Sequence, residues 1–177
     1  MARIPAVNRN EATDPLATTF NTVKAKIGMV PNLYATFAQS PAVLDAYLAF
    51  SSALTKGQLT AGQREVLALA IGQTNQCQYC LSAHSLLAKG AGLNPEAIKN
   101  ARNSSSAEPL NDALARFAVK VVKQRGVLSD EEFNAAKAEG LSDALIIEVL
   151  AHVALNTLTN YTNHIAATDI DFPVVPL

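Results

Sequence analysis

Tryptophan is absent from the 177 residues, aromatic side chains make up 6%, and charged side chains only 16%, against about 25% in an ordinary globular domain. Each shortage excludes something. So few aromatic residues leave strand-favouring positions thin. With 49% hydrophobic residues and a net charge of −1, the chain lacks the polar, highly charged composition of a disordered segment. Lys and Arg total 14 against 15 Asp and Glu, so no cationic excess exists to neutralise phosphates, and no nucleic-acid partner is expected. The opening residues, Met1 to Asn8, carry no apolar signal-peptide core. No uninterrupted apolar run approaches the length of about 18 residues that suggests a membrane span. These shortages predict a cytoplasmic protein with no membrane partner. The lean charge also predicts a surface partly covered by further copies of the chain, a homo-oligomer.

Cysteine is scarce too: the chain has two, Cys77 and Cys80. Two thiols three residues apart cannot staple a fold, so in a reducing compartment they read as redox or metal chemistry. What the chain has in quantity is alanine, 31 residues, the best helix former. Asp14-Pro15, Ser40-Pro41 and Asn94-Pro95 read as capping residues before a first-turn proline. Thr60 with Gln63, and Ser129 with Glu132, fit reciprocal capping boxes. Gly28, Gly57, Gly90, Gly126 and Gly140 mark helix ends. The pattern predicts an all-α fold with helices near 15–27, 31–39, 41–55, 60–74, 77–90, 95–102, 109–125, 130–138 and 142–167. One domain over 1–177 is expected, with an N-terminal arm to about residue 14 and a C-terminal tail from about 169. The apolar tail is expected to dock on a surface, its own or a neighbour's.

Two helices stand out. Val66 to Gly72 is apolar on every side, which predicts a central helix. In the last helix Glu148, His152, Asn156, Asn160 and Asn163 or His164 recur at three or four residues and share one stripe. A solvated face or hydrogen bonds between subunits is the expected role of that stripe, ahead of catalysis.

Chemistry concentrates in Glu65-x11-Cys77-Gln78-Tyr79-Cys80-x3-His84. A helix starting near Cys77 puts Cys77, Cys80 and His84 on one face. Unpaired N–H groups and the positive dipole end at a helix start favour thiolate. Cysteines in a first turn can also close a disulfide. His84 lies one turn past Cys80, placed to take its proton, and Glu65 on the preceding helix could orient His84. Plainer roles compete: inert buried cysteines, a core histidine, and a Glu65 that only answers its own helix dipole. Haem attachment fails because Leu81, not histidine, follows Cys80. A thioredoxin-like site needs a βαβ setting that is missing. A zinc site would need Glu65, His152 or His164 to complete three ligands.

The Glu-x11-Cys-x-x-Cys-x3-His pattern in a helical chain resembles the signature of the alkylhydroperoxidase AhpD family, of the carboxymuconolactone decarboxylase-like superfamily. The match is strongest over about Leu59 to Gly92. Gly28-Met29-Val30-Pro31-Asn32-Leu33 resembles the peroxidase-related branch. The resemblance implies an AhpD-like helical bundle and a thiol peroxidase for hydrogen peroxide or organic hydroperoxides, without metal or other cofactor. It makes Cys80 peroxidatic, Cys77 resolving, and His84 with Glu65 the proton relay. It further implies an external dithiol reductant, lipoyl- or thioredoxin-type, and a trimer or hexamer. A disulfide oxidoreductase or redox sensor of the same fold is the alternative. A decarboxylase is disfavoured because that branch generally lacks the cysteine pair. Some members have histidine where this chain has Tyr79, and a phenol of ordinary pKa near 10 is a poor shuttle at neutral pH.

Overall fold

The structure is a computed structural model that describes residues 2–177. Among the described residues there are nine helices and no strand. They are α1 (Leu16–Ile27), α2 (Asn32–Phe37), α3 (Pro41–Leu54), α4 (Ala61–Thr74), α5 (Gln78–Gly90), α6 (Pro95–Arg102), α7 (Pro109–Gln124), α8 (Asp130–Ala138) and α9 (Asp143–Ala166). Each corresponds to a segment expected from sequence. Thr60 and Ser129 close both capping boxes, and Asn94 accepts from Ala97 N–H. Two caps differ. Ser40 stands at the N-cap but makes no side-chain cap bond. At α1 the N-cap is Pro15, and Asp14 instead accepts from the Thr18 hydroxyl at 2.7 Å.

Helix α4 is central, as its apolar sequence requires. Every residue from Val66 to Gly72 is buried, and α5, α6, α7 and α9 all pack against α4. One side of it joins Leu67 and Ile71 to Leu114, Phe117 and Val149. Another joins Val66 and Leu69 to Leu81 and Val119. A third apolar cluster gathers Phe20, Val23, Leu33 and Leu44 around Cys77, Tyr79 and Cys80. The dithiol thus sits on a core assembled from the first three helices.

Both ends of the chain are tied down. Arg9 donates to Val30 O at 2.8 Å and 3.0 Å and to Asn32 Oδ1 at 2.7 Å. The tail docks on its own chain: Asp171 Oδ2 accepts from Asn32 N–H at 2.7 Å, Val175 N–H donates to Ser82 Oγ at 3.1 Å, and Arg102 donates to Pro176 O at 2.6 Å.

Helix α9, at 24 residues, has the length and mean hydropathy to cross a bilayer. Its polar stripe corrects the expectation of a solvated or inter-subunit face. His152, Asn156, Asn160 and Asn163 are buried, and α9 packs on α3, α4 and α5. The physical reason lies in the partners. Glu148 accepts from Gln58 and Leu59 N–H at 2.7 Å and 3.2 Å, satisfying the loop before α4. Gly57 makes room for that carboxylate, since a Cβ there would lie 2.5 Å from Glu148 Oε2.

Candidate active site

The turn from α4 to α5 builds the site. Asn75 ends α4, Gln76 takes a left-handed conformation at φ 56°, and Cys77 becomes the N-cap of α5. Cys77 Sγ accepts from Cys80 N–H at 3.2 Å, in the position where an oxygen usually caps a helix. Cys77 and Cys80 are joined in a disulfide, their Cα atoms 5.3 Å apart. Both are almost wholly buried, at 1% and 4% exposure.

Helix α9 grips this turn from behind. Asn75 donates from Nδ2 to Asn160 Oδ1 at 2.9 Å, and His164 Nε2 lies 2.8 Å from Asn75 O. Asn163 Nδ2 lies 3.4 Å from Cys80 Sγ and 3.9 Å from Cys77 Sγ. By spacing alone, Asn163 and His164 are equal candidates for the end of the stripe. Spacing alone could group these residues but not tell which way the stripe faces.

The expected pair of Glu65 and His84 is formed: His84 Nδ1 and Glu65 Oε2 are 2.8 Å apart, both partly buried. Glu65 therefore turns to its neighbour on α5 rather than to its own dipole. The pair stands between two cavities. One, of about 270 Å³, is lined by Cys80, His84, Leu33, Tyr34, Tyr79 and Phe172 among others. The other, of about 100 Å³, is lined by Arg64, His152, Asn156 and Thr159. Glu65 and His84 line both. Cys77 lines neither, so the first pocket reaches the disulfide from the Cys80 side.

The aromatic lining of the larger pocket is held neutral. Burial raises the phenol pKa of Tyr34, and of Tyr47 well beyond the ordinary value. Tyr34 and Tyr47 rings meet edge-on at 5.3 Å. Tyr79 is engaged elsewhere. Its hydroxyl donates to Asp171 Oδ1 at 2.8 Å and accepts from Leu33 N–H at 3.2 Å. Burial first, and the Asp171 carboxylate with it, push its pKa up strongly. Phe172 packs edge-on against the same ring at 5.6 Å. Tyr79 is thus an anchor for the tail. Neither Phe172 at the pocket nor Asp171 on the Tyr79 hydroxyl was legible in sequence, because a docked tail has no periodicity.

Among the described residues no three His, Cys, Asp or Glu side chains are grouped to hold a metal ion.

Comparisons with known proteins bear on the family and the fold. Residues 41–124 match the carboxymuconolactone decarboxylase family, a span that includes Glu65, Cys77, Cys80 and His84. A relative from Haemophilus influenzae, an uncharacterized protein, is 44% identical over 48 residues, 27% of this chain and 42% of that protein's length. The match therefore spans well under half of that relative. The crystal structure of an alkylhydroperoxidase AhpD core, an uncharacterized peroxidase-related protein from Ralstonia eutropha JMP134, superposes with a TM-score of 0.85 at 26% identity, covering 96% of this chain and 92% of the other. A peroxidase-related protein from Silicibacter sp. TM1040 gives 0.82 at 21% identity, covering 94% and 92%. A cysteine-to-alanine variant of the debrominase Bmp8, in complex with 2,3,4-tribromopyrrole, gives 0.79 at 18% identity, covering 96% and 91%. The last two likenesses speak for the fold alone.

Proposed function

For a chain of AhpD-like fold whose residues 41–124 are carboxymuconolactone decarboxylase family sequence, we propose a thiol-dependent peroxidase acting through Cys80, Cys77, His84 and Glu65. The observation that carries the reading is the meeting of Cys80 with the Glu65–His84 pair in one apolar pocket, with Cys77 bonded behind. Cys80 is the peroxidatic residue, because it faces the pocket. Its thiolate attacks the outer peroxide oxygen, the O–O bond breaks, and sulfur is oxidised by two electrons to a sulfenic acid. The departing alkoxide takes the proton that His84 received from the Cys80 thiol. Glu65 holds His84 in the orientation that keeps Nε2 free for that transfer. The Cys77 thiolate then attacks Cys80 sulfur; the disulfide forms, and hydroxide leaves to be protonated as water.

An external dithiol returns the enzyme to its reduced form by exchange. Both sulfurs are buried, so the reductant has to enter by the pocket and attack Cys80, as a slender lipoyl-type arm would; a thioredoxin-type protein would need the pocket wall to open. A homo-oligomer, a trimer or hexamer, is part of the proposal. Its support is the row of exposed apolar side chains on α9, including Ile147, Leu158, Tyr161 and Ile165.

The test is rapid mixing of fully reduced protein with cumene hydroperoxide in the absence of reductant. The peroxidase reading expects fast loss of both thiols and one equivalent of peroxide consumed, with Cys80→Ser inactive. Consumption no faster than that of a free thiol removes the reading in favour of a dithiol oxidoreductase or redox sensor. The Cys77–Cys80 disulfide favours that second reading equally well.

A further inference from the structure

Among the described residues, Asn163 is the one side chain from outside α5 that donates a hydrogen bond toward the sulfurs. A disulfide has no hydrogen to donate, so only the Nδ2 end of the amide can bond to it, and Nδ2 is the end that faces Cys80 and Cys77. Asn163 is 6% exposed, and its Oδ1 is buried without a partner. Leaving an acceptor unsatisfied is unfavourable, and a leucine of similar shape would avoid it. What asparagine supplies here, and leucine cannot, is the N–H beside sulfur. Its position is fixed on both sides along α9: Asn160 holds the Asn75 side chain and His164 the Asn75 carbonyl, two residues before Cys77.

Resting on the peroxidase reading above, we propose that Asn163 is a further catalytic residue, whose amide N–H stabilises negative charge on the Cys80 sulfur. In the reduced enzyme it favours the thiolate that attacks peroxide, since a hydrogen bond to an ionised acceptor is about twice as strong as one to a neutral group. In the return reaction a donor thiolate attacks Cys80, the Cys77–Cys80 bond breaks, and Cys77 leaves as thiolate, capped by Cys80 N–H. The donor's second thiolate then attacks its own sulfur in the mixed disulfide. The donor is oxidised by two electrons to its disulfide, and Cys80 leaves as thiolate against Asn163.

The experiment uses Cys77→Ser protein, in which Cys80 is the sole thiol. Thiolate ultraviolet absorbance and the rate of alkylation by iodoacetamide are followed against pH, with and without Asn163→Leu or Asn163→Ala. Loss of the donor is expected to raise the Cys80 midpoint by about one unit, which leaves roughly tenfold less thiolate at a pH below the midpoint. An unchanged midpoint in folded variants, judged by circular dichroism, overturns the proposal. If neither apolar variant folds, Asn163→Asp keeps the shape and replaces the donor with an anion. Its midpoint is expected to rise further, and an unmoved midpoint is again fatal. The outcomes separate from those of the peroxidase reading. A shifted midpoint with slow peroxide consumption keeps the Asn163 effect and removes the peroxidase; fast consumption with an unshifted midpoint removes Asn163 alone.

Discussion

Helix α9 turns two unlike faces to its surroundings: beside the buried Ile146, Val149 and Leu155 its inward face carries a polar stripe, while its outward face is largely apolar. The inward face carries Glu148, His152, Asn156, Asn160 and Asn163, the last four buried. The outward face carries Ile147, Leu150, Leu158, Tyr161 and Ile165, all exposed, Ile147 and Ile165 at 65% and 63%. An isolated helix of this composition would be expected to bury the second set. The stripe on the inward face is polar because of what it meets. The loop before α4 presents Gln58 and Leu59 N–H groups that Glu148 accepts, and the turn after α4 presents Asn75 and the two sulfurs. Buried polar groups have to find partners, and α9 supplies them at both ends of α4. The outward face has apolar area with nothing on it, which is the kind of surface a second copy of the chain would cover.

The sharpest test introduces a carboxylate on each face. Asn160→Asp puts a carboxylate at a fully buried position where Asn75 Nδ2 is its partner on one oxygen. At neutral pH it is expected to lower stability by about 3 kcal/mol, the scale for an uncompensated buried charge. Ile165→Asp, on the exposed face, is expected to change protomer stability by less than about 0.5 kcal/mol. Its effect should appear in assembly, with the sedimenting mass moving toward the 18.7 kDa of one chain. Urea melts and analytical ultracentrifugation on the two variants decide the matter. Equal destabilisation would mean that the faces are not opposed, and a wild type sedimenting as a monomer would remove the homo-oligomer.

A middle-sized effect is expected where α9 meets the α3–α4 loop. Gly57→Ala places a methyl group into the Glu148 carboxylate. The side chain can swing away, but it then gives up the Gln58 and Leu59 amides. The expected cost is about 2 kcal/mol for two charge-assisted bonds to backbone N–H. Adding Glu148→Ala to Gly57→Ala should cost little more, because the bonds are already gone. Additive losses would show that the glycine serves something other than that carboxylate.

Sequence carried the helices and half of the site. Capping boxes at Thr60 and Ser129, first-turn prolines at Pro41 and Pro95, and the apolar run Val66 to Gly72 are local signals, and local signals survive folding. The Glu65–His84 pair was readable because the phase of His84 with the cysteines pointed back toward α4. The direction of the α9 stripe was not readable. Periodicity groups residues on a face but carries no sign for inward or outward, and a rule that sends polar groups to water gives the wrong one here. The caps at Asp14 and Ser40 missed for a related reason: the residue types permit a cap bond, while backbone geometry decides whether it forms. Phe172 came to the pocket, and Asp171 to Tyr79, through a tail with no repeat to read, and with them went the role of Tyr79, whose hydroxyl is spent on Asp171 and Leu33 N–H.

The smallest expected effect concerns the inward face alone and depends on pH. His152 is buried with Nε2 unpartnered, on the polar cavity behind Glu65 and His84. Burial, and then the Arg64 charge, lower its pKa from the ordinary 6.5, while Glu148 and Glu65 pull weakly the other way. The folded state therefore disfavours the protonated ring, and the unfolded chain binds that proton more readily. Stability is fully present above about pH 6.5 and declines as pH falls from there through the lowered folded value, at no more than about 1.4 kcal/mol per pH unit for one proton. His152→Gln keeps a polar group of similar reach without a titrating ring, and should remove that decline while leaving stability above pH 7 within about 1 kcal/mol of the wild type. Urea unfolding at a series of pH values reads the difference between the two proteins. A wild-type curve that rises on acidification relative to His152→Gln would reverse the sign and mean that the ring is protonated in the folded protein. The polar stripe of α9 would then hold a buried cation beside the Glu65–His84 pair, and the inward stripe would be an ionic network rather than the neutral hydrogen-bonding surface that Asn156, Asn160 and Asn163 make it.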